Sequence, residues 1–203
     1  CNLWHKIYFT YYNFIPSPCQ DCWKVVVRPK TFVQLLHWYA VLKNLDAPSK
    51  CGKEVRPYVE GLWGSYFYTR GPDEGLERWE QVRALVDEHL GKDVDVILKR
   101  GCTEFEHKFG DSSLWQVSKG QMELEKFLNS RFDLPRYVNP TPDDLIKFCI
   151  HDWMEFAATW GDASYRKFTD GKKIYQPYRV YHPGSGQNPE TYMRDEWVMA
   201  AVE

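Results

Sequence analysis

The residues best suited to chemistry in this chain sit where apolar runs stop. The run at 94–98 ends in Lys99, Arg100, Gly101 and Cys102, and Thr103, Glu104, Glu106 and His107 follow directly. A thiol beside a guanidinium has a lowered pKa and can act as a nucleophile, while a nearby carboxylate and imidazole supply an acid and a base. Cys102, Glu104 and His107 are therefore the expected catalytic residues, with Glu104 and His107 as the acid-base pair. Two earlier runs end in a similar way. The run at 24–27 stops at Arg28, Pro29, Lys30 and Thr31, and the run at 58–68 stops at Thr69, Arg70, Gly71 and Pro72. Cationic side chains at strand ends, next to helix starts with free backbone N–H groups, favour a phosphate or carboxylate. Arg28, Lys30, Arg70 and Arg100 are expected to form one anion-binding site.

The thiols suggest a second centre. Cys19 and Cys22, with two residues between them, precede the first run; Cys51 precedes the second, and Cys1 opens an aromatic arm that can fold back. Four thiolates suit tetrahedral zinc or, alternatively, a 4Fe-4S cluster. Cys1, Cys19, Cys22 and Cys51 are the expected metal ligands, with His5 as a lesser choice for the fourth position. In a parallel sheet the residues before strands collect at one edge and those after strands at the other, which excludes Cys102 from this set. The three-cysteine spacing of radical S-adenosylmethionine enzymes is absent. Six cysteines at uneven spacing suit reduced thiols and a metal better than a disulfide framework, which makes a cytoplasmic location the expectation.

Strands and helices must hold these groups in place. Leu76, Trp79, Val82, Val86 and Leu90 recur at three and four residues and predict a helix that Gly91 stops. Val94, Val96, Ile97 and Leu98 read as a strand buried on both faces. Thr31 and Gln34 make a capping-box pattern ahead of Phe32, Leu35, Leu36, Tyr39 and Leu42, which predicts a helix to about residue 45. This alternation predicts an α/β fold with a largely parallel sheet built from strand-helix units, and a ligand site outside the carboxyl edge of that sheet. Beyond it, the pattern predicts a polar loop over 103–108, a helix near 121–129, and a helix begun by Thr141, Pro142, Asp143 and Asp144 that runs to about 160. On that helix Asp144, Lys147, His151 and Glu155 share one solvated face. One domain spans 1–203: an aromatic arm (1–18), the strand-helix core (19–105), a helical part (106–160) and an extended tail (161–203) with a strand at 174–181.

A net charge of -2 gives no global attraction to nucleic acid, so such a role needs a local patch. Lys172, Lys173, Tyr175, Tyr178, Arg179, Tyr181 and His182 interleave basic and aromatic groups as single-strand grooves do. No apolar run approaches the roughly 18 residues of a membrane span. The leading expectation is a metal-stabilised, enzyme-like α/β domain that binds an anionic small molecule at the carboxyl edge of its sheet. A second reading is a non-catalytic Cys-metal module that docks nucleic acid or a protein partner through residues 165–186, and a third is an iron-sulfur redox protein.

Overall fold

The computed structural model describes residues 5–131 and 143–174, with side chains from 145 onward in the second segment. Its central strand, β1 (Cys22–Arg28), carries Val25, Val26 and Val27 at 1% exposure or less. β-branched side chains suit such a buried pleat. The strand is not paired in parallel. β2 (Ser49–Lys53), β3 (Trp63–Arg70) and β4 (Asp95–Arg100) complete a four-stranded sheet in the order β2-β3-β1-β4, and every neighbouring pair is antiparallel.

Helix α1 (Phe32–Leu42) links β1 to β2, and α2 (Gly71–His89) links β3 to β4. The strands of each linked pair run in the same direction, but another strand lies between them, which is the split βαβ plan of ferredoxin-like sheets. The expected largely parallel sheet is therefore overturned, although the strand-helix-strand reading of 63–100 holds. The missing piece is β2, whose Ser-Lys-Cys-Gly-Lys sequence has no apolar alternation because it is an edge strand carrying lysines. From β2 the chain turns back into β3, and that return reverses β3 and β4 relative to β1.

Reversal redistributes the strand ends. Cys22 lies opposite Arg70 and Trp23 opposite Arg100, so the start of β1 shares an edge with the ends of β3 and β4. Arg28 and Lys30 leave at the other edge. There is no common carboxyl edge.

Alternation along β1 splits the sheet into two faces. Val25 and Val27, with Phe67, pack beneath Trp38, Leu42, Val82 and Val86 of the two helices. Thr31 caps α1 by accepting from the Gln34 backbone N–H at 3.2 Å, and Gln34 reciprocates by accepting from the Lys30 N–H at 2.7 Å. Gly75 lets α2 sit close, since a Cβ there would lie 3.0 Å from Leu98. β4 is the other edge strand and Ile97 is 45% exposed, so this run is covered on one face rather than two.

The segment expected as a polar loop after β4 is helical, α3 (Thr103–Phe109), because Phe105 anchors it in a cluster with Ile15 and Trp115. Helix α4 (Lys119–Asn129) begins at its Ser118 cap and ties down the arm. Gln121 Nε2 donates to the Ile15 carbonyl at 2.7 Å, and Glu125 accepts from the Ser17 N–H at 2.9 Å. The arm is docked, as its apolar content requires, but as a π-helical turn at His5–Tyr11 and a single turn at Ser17–Gln20. Helix α5 (Asp143–Thr159) lies along β2, where Lys53 pairs with Asp152 at 2.7 Å. Just after it, Asp162 accepts from the Phe32 N–H at 2.5 Å and from Trp63 Nε1 at 3.0 Å, pinning the chain to α1 and β3. By contacts the chain divides into Cys1–Gly171 and Lys172–Glu203. The strand expected at 174–181 lies outside the described residues from 175 on.

Gly101 turns the chain from β4 into α3 at φ +64°, and a Cβ there would come within 2.5 Å of the Trp115 ring. Gly101→Ala should cost about 2 kcal/mol or more, from backbone strain and overpacking together. Gly120→Ala, which meets nothing within 4 Å, should be neutral or slightly stabilising. Urea midpoints of the two variants against the parent protein check this.

Candidate functional site

The face of the sheet away from α1 and α2 carries Val26 and Ile97 but is otherwise largely polar. β1 contributes Cys22, Lys24 and Arg28, β3 contributes Tyr66 and Tyr68, β4 contributes Lys99, and Lys50 of β2 stands opposite Tyr66. Lys24 is its centre. It is only 9% exposed, its Nζ donates to Cys102 Sγ at 2.9 Å, and it lies 5.5 Å from the centre of the Tyr68 ring. Burial alone would push the ammonium toward neutrality, but the charge and hydrogen bond of Cys102 hold Lys24 above its ordinary pKa. Cys102 is positioned by backbone: it is the N-cap of α3, and its carbonyl accepts from the Phe105 N–H at 3.0 Å.

Two further thiols surround the same corner. The Gly101 N–H donates to the Cys22 carbonyl at 2.7 Å, and the Cys19 carbonyl lies 3.6 Å from where a Gly101 Cβ would be. Cys19 and Cys102 both pack on the Ile15, Phe105 and Trp115 cluster. Burial pushes the Cys19 thiol up to about 12, and Cys22 is raised by burial as well. Both remain protonated near neutral pH, beside a third thiol that has an ammonium partner. The antiparallel sheet thus overturns the separation expected from a parallel one: Cys102 joins Cys19 and Cys22 instead of facing away from them. A groove of 840 Å³ lined by Pro16, Cys19, Cys22, Tyr68 and Arg70 opens beside the cluster.

A second network adjoins it. Glu54, whose side chain is 3% exposed, accepts from Arg56 Nη2 at 2.5 Å, from Arg56 Nε at 2.7 Å and from the Tyr66 hydroxyl at 2.8 Å; Arg28 lies 3.7 Å away. Arg56 Nη1 reaches both oxygens of Glu104 at 3.1 Å. Burial pushes Glu104 up, but backbone and Arg56 contacts win and hold it below the usual carboxylate range. His107 is exposed and stacks on Tyr58, ring centres 4.8 Å apart. The expected acid-base pair has thus taken separate partners, and Glu106 is paired with Lys99.

The four expected anion ligands do not converge. Arg28 belongs to the Glu54 network, and Lys30 pairs with exposed Asp93 at 2.8 Å. Arg100 is spent on backbone, donating to the Gln20 carbonyl at 2.5 Å and the Ser112 carbonyl at 2.6 Å while lying over Trp115. Arg70 remains exposed at the groove.

The expected metal ligands are dispersed as well. Cys51 pairs with Ser65 and Cys22 with Arg70, five positions apart along β3. Cys51 packs toward the helical core and, with Cys149, lines a separate 310 Å³ cavity against Trp153. His5 stacks on Phe105, and Cys1 lies outside the described residues. Among the described residues no group of three or more His, Cys, Asp or Glu side chains is placed to hold a metal ion, and no helix is long and apolar enough to cross a membrane. In the tail, Tyr165 is buried and Phe168 packs on Phe32; residues 175–186 of the expected partner-binding segment lie outside the described residues. On α5, Lys147, His151 and Glu155 are solvent-exposed, as their spacing implied.

Sequence reasoning missed Lys24, Glu54, Arg56 and Tyr66. Lys24 reads with Val25, Val26 and Val27 as part of a buried strand, and only the pairing shows which face its side chain takes. A signal for the other network was present in the Glu-x-Arg spacing just ahead of a strand. Scanning protein-family models finds none that matches this chain, and neither the curated proteins nor the solved structures return a match.

Burial works to raise Glu54, yet the Arg56 hydrogen bonds hold it at about 2 against an ordinary 4.5. A depressed folded-state pKa stabilises the fold fully above about 4.5, and that contribution disappears as pH falls toward 2. Urea unfolding from pH 7 down to 2.5 should show this acid-side loss. Glu54→Gln should cost about 3 kcal/mol at pH 7 and flatten the loss, because removing one partner leaves an enclosed cation uncompensated.

Proposed function

We propose that the polar sheet face is the thiolate-nucleophile site of an enzyme-like domain acting on a small anionic molecule. Cys102 attacks an electrophilic centre, Lys24 pairs with its sulfur, and Lys50 receives the substrate's anionic group. The observation that carries this reading is the 2.9 Å contact between Lys24 Nζ and Cys102 Sγ. An enclosed ammonium is costly unless it is paired, and an anionic sulfur satisfies it in a way that a neutral thiol does not. Of the three thiols at this corner, Cys102 is the one that accepts from an ammonium.

Charge around Tyr68 supports the substrate class. Lys24 lies 5.5 Å and Lys50 5.7 Å from the ring centre, and Lys50 has no carboxylate partner among the described residues. Two ammonium groups on one aromatic ring repel each other, and an anion bound between them relieves that repulsion. Lys50 is in fact held below its ordinary pKa, by burial against the rings and then by Lys24.

Competitive alkylation tests both parts. With iodoacetamide near neutral pH, peptide mass spectrometry should find Cys102 modified well ahead of Cys149. Lys24→Met should slow Cys102 by about tenfold or more, since the attacking sulfur loses its cationic partner. Lys50→Met should slow anionic iodoacetate while sparing neutral iodoacetamide. If Cys102 reacts no faster than Cys149 in the parent protein, there is no activated thiolate and the proposal is wrong.

A further inference from the structure

Resting on that thiolate reading, we infer that the site reduces hydroperoxides, with Cys102 as the attacking sulfur and Cys19 as the resolving thiol that closes a Cys19–Cys102 disulfide. The geometry of one corner argues for it. Cys19 and Cys102 pack on the same Ile15, Phe105 and Trp115 cluster, and the Cys19 carbonyl lies against Gly101, the residue before Cys102. The turn that carries Cys19 is tied to that corner from both sides: the Cys19 N–H donates to the Pro16 carbonyl at 2.8 Å, and the next carbonyl, of Gln20, accepts from Arg100 Nε at 2.5 Å.

Cys22 is the competing thiol, and its backbone decides against it. It belongs to β1, held by its pairing with Arg70 on one side and by the Gly101 N–H on the other. Cys19 sits instead on a single four-residue turn outside the sheet, so a bond to Cys102 breaks no ladder. Cys19 also lines the groove.

Acyl or glycosyl transfer calls for an acid-base pair at the nucleophile, and the two candidates here are committed elsewhere, Glu104 to Arg56 and His107 to Tyr58. Breaking an O–O bond asks for less: a thiolate and one proton donor. In the first step the Cys102 thiolate attacks the nearer peroxide oxygen. The S–O bond forms, the O–O bond breaks, sulfur loses two electrons, and the leaving oxygen departs as alcohol or water with the Lys24 proton. Cys102 is then a sulfenic acid, and Lys24 regains its proton from solvent. In the second step the Cys19 sulfur attacks Cys102 sulfur, the S–O bond breaks and water leaves, carrying the Cys19 proton and the sulfenic hydroxyl. Two equivalents of a small external thiol return the disulfide to two thiols, becoming a disulfide themselves.

Stoichiometric hydrogen peroxide added to the intact 203-residue chain tests this directly. One intramolecular disulfide should form, linking the tryptic peptide of residues 7–24 to that of residues 101–108. Because the first peptide contains both Cys19 and Cys22, Cys22→Ser should retain the cross-link and Cys19→Ser should abolish it, leaving a Cys102 sulfenic acid that dimedone traps. Lys24→Met should slow Cys102 oxidation at least tenfold. A cross-link that needs Cys22, or a Cys102 that peroxide leaves untouched, overturns the inference. If alkylation finds Cys102 activated while peroxide forms no Cys19–Cys102 bond, this inference falls alone; if Cys102 is also slow toward alkylation, the thiolate reading falls with it.

Discussion

Everything in this molecule depends on the side-chain alternation of one strand that is hydrogen-bonded on both sides. Because β1 is paired to β3 and to β4 along nearly its whole length, it cannot slip, and its odd and even residues are committed to opposite faces. Val25 and Val27 go under the helices. Lys24 is thereby forced into the other face, where it is covered but not among apolar groups. A slip by one residue would drive an ammonium into the Trp38 and Phe67 layer, and the effective cost of an unpaired buried ion is several kcal/mol. The register is fixed by that penalty as much as by the valines.

The polar face solves its charge problem in two ways. Around Glu54 the charges neutralise one another: a carboxylate, a guanidinium and a phenol share short hydrogen bonds, and Glu104 takes up the remaining donor capacity of Arg56. Burial and Glu54 push the Tyr66 hydroxyl up to about 12, so it stays a donor. Such a network is closed and suits rigidity. Around Tyr68 the balance is different, with Lys24 and Lys50 gathered over one ring and the Cys102 sulfur accepting from Lys24. The closed network thus lies beside an open one, with a groove lined by Tyr68 at the open end.

Much of the layout was legible in the chain. The Thr31 cap, the α2 stripe ending at Gly91, the docked aromatic arm and the helix begun near Pro142 all follow from short-range rules, since each depends on residues within a turn or two of one another. The sheet direction was not legible, and the reason is specific. β2 is a short edge strand with lysines and a glycine, so it offers no apolar pattern, yet it supplies the one reversal that turns a parallel reading into an antiparallel fold. From that omission followed the separation of thiols from arginines, the shared carboxyl edge, and the grouping of Arg28 with Arg70 and Arg100. α3 was hidden for a related reason: its residues are polar except Phe105 and Phe109, and what makes it helical is the cluster those rings join.

By itself the amino-acid sequence determined where the chain would be stiff and which residue types would stand at the strand ends, because helix periodicity, caps and β-branched runs act locally. Only the tertiary structure decided which of those ends meet. Cys19, Cys22, Lys24 and Cys102 span most of the first half of the chain, and their meeting depends on strand order and direction. Those are set by the joint burial of many side chains against the helices, a sum over the whole core that no local pattern encodes.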